Sequence, residues 1–254
     1  MAFSFVRLLA VSLLALPAIV SAAPSDTTTG PFNPTGITPN PVSRGLGPKP
    51  PVRRAHRAVY PRQSNTPPPP PSAPFPTGSI TVTMGSTSGF ISAVPNSFGE
   101  YSFTTDSTQA LQVELHNTDG SSSFDIKALN GLTTYPFLTA ITGFADTSSD
   151  LGPGSFNYCY IGGSSQTPAH APPTTQSNSF SDASGSPEQV ESAIWTLGAD
   201  GSLVPEWVNT DGSTPAATLI YVPGAAGFAL TGDVDAFTAN FGGASVASFS
   251  FTSA

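Results

Sequence analysis

The chain has 254 residues, a formal net charge of −8, one cysteine and only 9% charged residues. A lone cysteine excludes an intrachain disulfide, and with three histidines in the whole chain it excludes a clustered His/Cys metal site. Six of the eight Lys and Arg lie between Arg44 and Arg62, whereas residues 63–254 hold fifteen acids against Lys127 alone. Such a surface repels nucleic acid and anionic membranes, so neither is expected as a partner.

Residues 1–22 have the layout of a secretory signal: Arg7 in the n-region, an apolar run from Leu8 to Val20, and small residues up to Ala22. The run is too short to span a bilayer. The C-terminal residues Ser248 to Ala254 carry no hydrophobic tail of the kind a glycolipid anchor needs. A secreted, extracellular protein is therefore expected.

From residue 23 to 77 the sequence reads as a disordered, Pro-rich, basic linker or propeptide. Sixteen of the 27 prolines lie there, including the run Pro67 to Pro71. Such a composition cannot bury enough apolar surface to offset its ordering entropy. Arg53 and Arg54 form a dibasic pair, and Arg62 marks a second processing point. Cleavage there would remove most of the chain's positive charge.

From residue 78 to 254 the pattern becomes that of short strands separated by turns. Ser79 to Met84 alternates, with Ile80, Val82 and Met84 on one face. Gln109 to His116 alternates more clearly: Leu111, Val113 and Leu115 face one way, and Gln112, Glu114 and His116 the other. Further strands are expected at 98–104, 123–129, 137–142, 155–161, 191–197, 203–209, 216–222, 227–231 and 244–251. The fold expected is an all-β, antiparallel, jelly-roll-like β-sandwich of 10 or 11 strands. One short helix is expected at 233–241, because Asp233 can cap it, Val234, Phe237 and Phe241 share a face, and Gly242 can end it. The stretch 162–187, with Pro168, Pro172 and Pro173, reads as a long surface loop. Cys159 lies in an apolar strand-like run and reads as a buried small hydrophobe.

A short repeat marks the turns. Asn117 to Ser121 recurs as Asn209 to Ser213, and Asp200-Gly201-Ser202 is related to both. Asp-Gly supplies the positive φ of a tight turn, so hairpin loops are expected. None of the copies has the ligand spacing of a calcium loop, and no metal or cofactor is expected.

Trp195 and Trp207 flank the Asp200 turn, and Pro205 marks the second strand as an edge. On an edge hairpin the two rings can form a sugar-stacking platform, which makes them the candidate glycan-binding residues. Core anchoring is the competing assignment. A catalytic set is hard to assemble. His116 has Asp119 nearby but no serine in a nucleophile elbow, and His170 has no patterned neighbour. Glu100, Glu114, Asp125, Glu188, Glu191 and Glu206 can pair across a sheet as acid and base, although each is also an ordinary strand-face charge.

The signal, the Arg-Arg segment, the low-lysine composition and the stretch Trp195 to Ser213 resemble secreted proteins of filamentous fungi, mushroom-forming ones above all. Leu230 to Asp233 and Ala236-Phe237 fit the same resemblance. It implies a cell-wall or extracellular setting and transfers no catalytic residues. The expectation is a monomeric, non-enzymatic protein of the cell wall or matrix whose partner is wall polysaccharide. The alternative is an acid-pH hydrolase, glycosidase or carboxylate-dependent peptidase, matured from a zymogen.

Overall fold

The computed structural model describes residues 75–116 and 123–254. Arg53, Arg54, Arg62 and the Asn117–Ser121 copy of the turn lie outside the described residues.

In chain order the strands begin with β1 (Thr77–Met84), β2 (Thr87–Ile91), β3 (Phe103–Thr104), β4 (Gln112–His116), β5 (Asp125–Ala128), β6 (Phe137–Thr142) and β7 (Tyr158–Ser164). There follow β8 (Thr174–Thr175), helix α1 (Ser179–Ser184), β9 (Gln189–Glu191), β10 (Trp195–Leu197) and β11 (Ser202–Pro205). The chain ends with β12 (Thr218–Val222), β13 (Gly227–Thr231), helix α2 (Val234–Phe241), β14 (Ser245–Val246) and β15 (Ser248–Ser253). No helix among the described residues is long and apolar enough to cross a membrane.

The fold is all-β and every strand pairing is antiparallel. The main path runs β10-β11-β15-β1-β4-β5-β6-β7-β13-β12-β14, with β2 and β3 added beside β1, and β8 and β9 beside β6. It is one continuous sheet that does not close on itself. Strands far apart along it share one apolar cluster: Ile80 of β1, Leu115 of β4, Ile161 of β7, Leu203 of β11 and Leu230 of β13 all meet there. The sheet is thus folded over its own core, with the two-layered packing of a sandwich. Cys159 is fully buried in that cluster.

The alternation in β4 places Val113 and Leu115 inside while Gln112, Glu114 and His116 stay part-exposed. Helix α2 forms where the cap and apolar spacing predict it. Asp233 Oδ1 accepts from Ala236 N at 2.9 Å, and Phe237 packs on Ile220, Val222, Ala229 and Tyr158.

Three expectations need correction. The strands number fifteen among the described residues, because β2 and β8 escaped the pattern, 191–197 is broken at Ser192 into β9 and β10, and 244–251 is broken into β14 and β15. The stretch 162–187 is not a plain loop, since it holds the end of β7, β8 and α1. Asn178 caps α1 by accepting from Ser181 N at 2.8 Å, and Phe180 stacks on Tyr160 with ring centroids 4.4 Å apart. Finally, of the two copies of the turn among the described residues, the Asp200 copy is a hairpin, joining β10 to β11. The Asn209 turn has the same geometry but lies between strands that do not pair.

Candidate functional site

The tryptophans do not form a platform. Trp195 and Trp207 are both 0% exposed. Trp195 Nε1 donates to Leu138 O and Trp207 Nε1 to Ser149 O, each at 2.9 Å, and both rings belong to the central cluster. The second strand of the hairpin is not an edge, since β11 pairs with both β10 and β15, and β10, last on the path, is bridged to Phe124 at Trp195, which lies opposite Pro205. Even a strand at the end of a sheet turns one face inward, and the large rings take that face.

The acids separate by environment. Glu100, Asp125 and Glu191 are each 3% exposed, whereas Glu114, Glu188 and Glu206 are half-buried. Burial pushes the Glu100 carboxyl up to about 7, although Asn96 Nδ2, donating at 2.7 Å, opposes the shift. Burial likewise raises Glu191 to about 8 against a bond from Val208 N at 3.1 Å. Asp146, half-buried, is raised to about 8 by burial despite donation from the backbone of Tyr158 and Gly143. Glu188 rises to about 7 for the same reason. The negative charge of Glu188 adds to the rise at Asp146, and Glu100 lines a narrow cavity of about 20 Å³ with Tyr158 and Tyr160.

The arrangement with room for a ligand lies on the outer face of β4–β6. Residues directly opposite in an antiparallel pair share a face. His116 lies opposite Asp125, Glu114 opposite Lys127, and Lys127 opposite Phe137, while Leu115, Ile126 and Leu138 point to the core. Glu114, His116, Asp125, Lys127 and Phe137 therefore share the outer face. Phe75 stacks on His116 with centroids 4.4 Å apart and planes inclined by 21°, and Phe137 meets the imidazole edge-on at 5.9 Å. His116 Nε2 lies 2.5 Å from Glu114 Oε1. Its partner is thus Glu114, and Asp119 lies outside the described residues.

Beside Asp125 is a pocket of about 430 Å³, with Ser123, Phe124 and Asp125 on one side and Gln166 to Ala169 and Ala193 on the other. Asp125 is held at both oxygens: Ser192 Oγ donates to Oδ1 at 2.6 Å and Gln166 Nε2 to Oδ2 at 2.7 Å. Ser192 is itself fixed, since Thr167 N donates to its Oγ at 2.7 Å and its own N donates to Thr167 Oγ1 at 2.8 Å. At the rim Ser123 Oγ donates to Glu206 Oε2 at 3.0 Å. The groups fixed here are hydrogen-bonding ones. Ser192 is 0% exposed and its hydroxyl hydrogen goes to a carboxylate, not to an imidazole that could activate it. Asp125 is the carboxylate in the pocket lining, with Glu206 beyond Ser123.

Compared with protein-family models, with curated proteins and with solved structures, the chain matches none of them. Among the described residues no three His, Cys, Asp or Glu side chains are grouped as metal ligands.

Asp125 stood among the candidate acids, but its partners could not be read from the sequence. Gln166 and Ser192 are 41 and 67 residues away. Phe75 carried no signal, being an isolated aromatic at the end of a Pro-rich run.

Proposed function

We propose that this is a secreted, non-enzymatic β-domain of the fungal cell wall or surrounding matrix, and that it binds glycan at the outer face of β4–β6. The observation that carries the reading is the preset Asp125–Gln166 pair in a pocket flanked by the Phe75–His116–Phe137 aromatic group. A sugar offers hydroxyls that need directional partners and an apolar C–H face that needs a ring. This face supplies both, and its pocket of about 430 Å³ lies within the range of small-ligand sites. Phe75 remains 42% exposed, which leaves its ring accessible. The leader-like residues 1–22, the acidic composition and the resemblance to secreted fungal proteins support the setting.

Retention on insoluble chitin and β-glucan tests the reading. The wild-type protein is expected in the pellet. Phe75→Ala should release it at least severalfold with the melting temperature unchanged, and Gln166→Ala, which also takes the donor from Asp125 Oδ2, should release it as much while still folding. Full retention of both folded variants would remove this face as the binding site.

A further inference from the structure

We infer that the glycan taken at this pocket carries protonated amines, as a deacetylated amino-sugar polymer does; the inference rests on the glycan-binding reading above. A neutral sugar would be served by hydroxyls and amides alone. This pocket instead has a buried carboxylate built into its wall. Asp125 is 3% exposed and uses one acceptor position on each oxygen, for Ser192 and Gln166, which leaves capacity for a ligand donor. Glu206 stands at the rim, held by Ser123 Oγ, and Glu114 lies along the same face beside His116. The opposing charge is slight: Lys127 is the sole Lys or Arg in residues 75–254.

An anionic sugar such as a uronate would enter against this field, and an N-acetyl group would bring no charge to Asp125. An ammonium donor would form a charge-assisted bond to it, roughly twice as strong as a neutral one. It would also be steered toward the domain by the surplus of acids. The apolar part of the lining, Pro168, Ala169 and Ala193, is left for the ring's C–H face.

Calorimetric titration at about pH 5 and low salt with three tetramers tests this: glucosamine, N-acetylglucosamine and β-linked glucose. The glucosamine tetramer should bind at least about tenfold tighter than either neutral one, and the advantage should shrink as salt rises toward about 0.2 M. Asp125→Asn should bring the three to within about twofold of one another, whereas Asp235→Asn, an exposed acid on α2, should leave the preference intact. If Asp125→Asn does not fold, Glu206→Gln at the rim replaces it and should lower the preference about threefold. Equal binding of the three tetramers by the wild type would overturn the amine inference while leaving glycan binding in place. Equal losses in Asp125→Asn and Asp235→Asn would overturn it too, because the preference would then belong to the overall charge. No binding of any tetramer would overturn both readings.

Discussion

The apolar cluster inside the sheet and the loops packed against its margins bury different kinds of atom. The cluster holds Trp195, Trp207, Phe228 and Phe249 among aliphatic side chains, and the polar ties of its tryptophans are the two indole N–H bonds to carbonyls. The margins bury carboxyls: Glu100 in the loop after β2, Asp146 after β6, and Glu191 at the end of β9 beneath Val208. None of these three has a Lys or Arg partner, because Lys127 is the single such side chain in the described domain and lies opposite Glu114. The cluster is therefore held by area removed from water, which proton concentration does not alter. The margins are held by groups whose burial is tolerable only while they carry a proton.

The largest expected effect breaks the first region. Trp195→Ala and Trp207→Ala should each cost about 3–5 kcal/mol, since a large cavity opens and a buried carbonyl loses its donor. Chemical denaturation at pH 5 and pH 8 should give the same loss at both. A folded variant with little loss at either position would mean that its ring lies at the surface.

The second effect breaks the margins, and its sign follows from the shifts. The Glu100 carboxyl moves from 4.5 to about 7, Glu191 from 4.5 to about 8 and Asp146 from 3.8 to about 8 on folding. Between those limits the folded chain holds more protons than the unfolded one, so stability falls as pH rises. The contribution is complete below the unfolded values, 4.5 for the two glutamates and 3.8 for Asp146, and is lost as pH rises through about 7 to 8. Glu100 alone is worth roughly 3 kcal/mol across that window. Glu100→Gln keeps an acceptor for Asn96 Nδ2 and should flatten that part of the slope. A melting temperature constant from pH 4.5 to 8 would show that these carboxyls titrate as exposed groups do. The overall charge acts in the same direction, since a chain of pI ≈ 4.5 repels itself less as pH falls toward that value.

What the sequence disclosed follows the same division. Strand β4, helix α2 and the Asp-Gly turns at Gly201 and Gly212 depend on local pattern, capping and backbone conformation, and these are where those rules place them. Helix α1 was invisible because Ser179 to Ser184 has neither helical propensity nor period. It stands on the Asn178 cap and on a ring contact with Tyr160, nineteen positions before the cap residue's successor and on another element. The tryptophan platform fails for a related reason: Pro205 marks one missing N–H donor, and neither an edge nor the face a strand turns outward follows from it. The pocket is least legible of all, because its Asp125–Gln166–Ser192 contacts join segments that no periodicity relates.

The smallest effect lies in the turns, outside both regions, and separates backbone strain from packing. Gly201 and Gly212 share a φ of +83°, where side chains other than Asn or Asp are strained. Each follows an aspartate whose Oδ1 accepts from the N and Oγ of a serine, Ser202 in one turn and Ser213 in the other. Their surroundings differ. A Cβ on Gly212 would meet nothing within 4 Å, whereas one on Gly201 would lie 3.2 Å from Phe251 O. Gly212→Ala should therefore report the conformational term alone, about 1 kcal/mol, and Gly212→Val somewhat more. Gly212→Asn should recover most of the loss, since its short polar side chain tolerates the left-handed region. Gly201→Ala should exceed Gly212→Ala by the cost of moving β15 away from the turn. Because neither site touches a buried carboxyl, the four losses should be the same at pH 5 and pH 8. A loss at Gly212 that grows with pH would tie this turn to the margins, through Asn209, whose side chain bonds both the N and the O of Leu151.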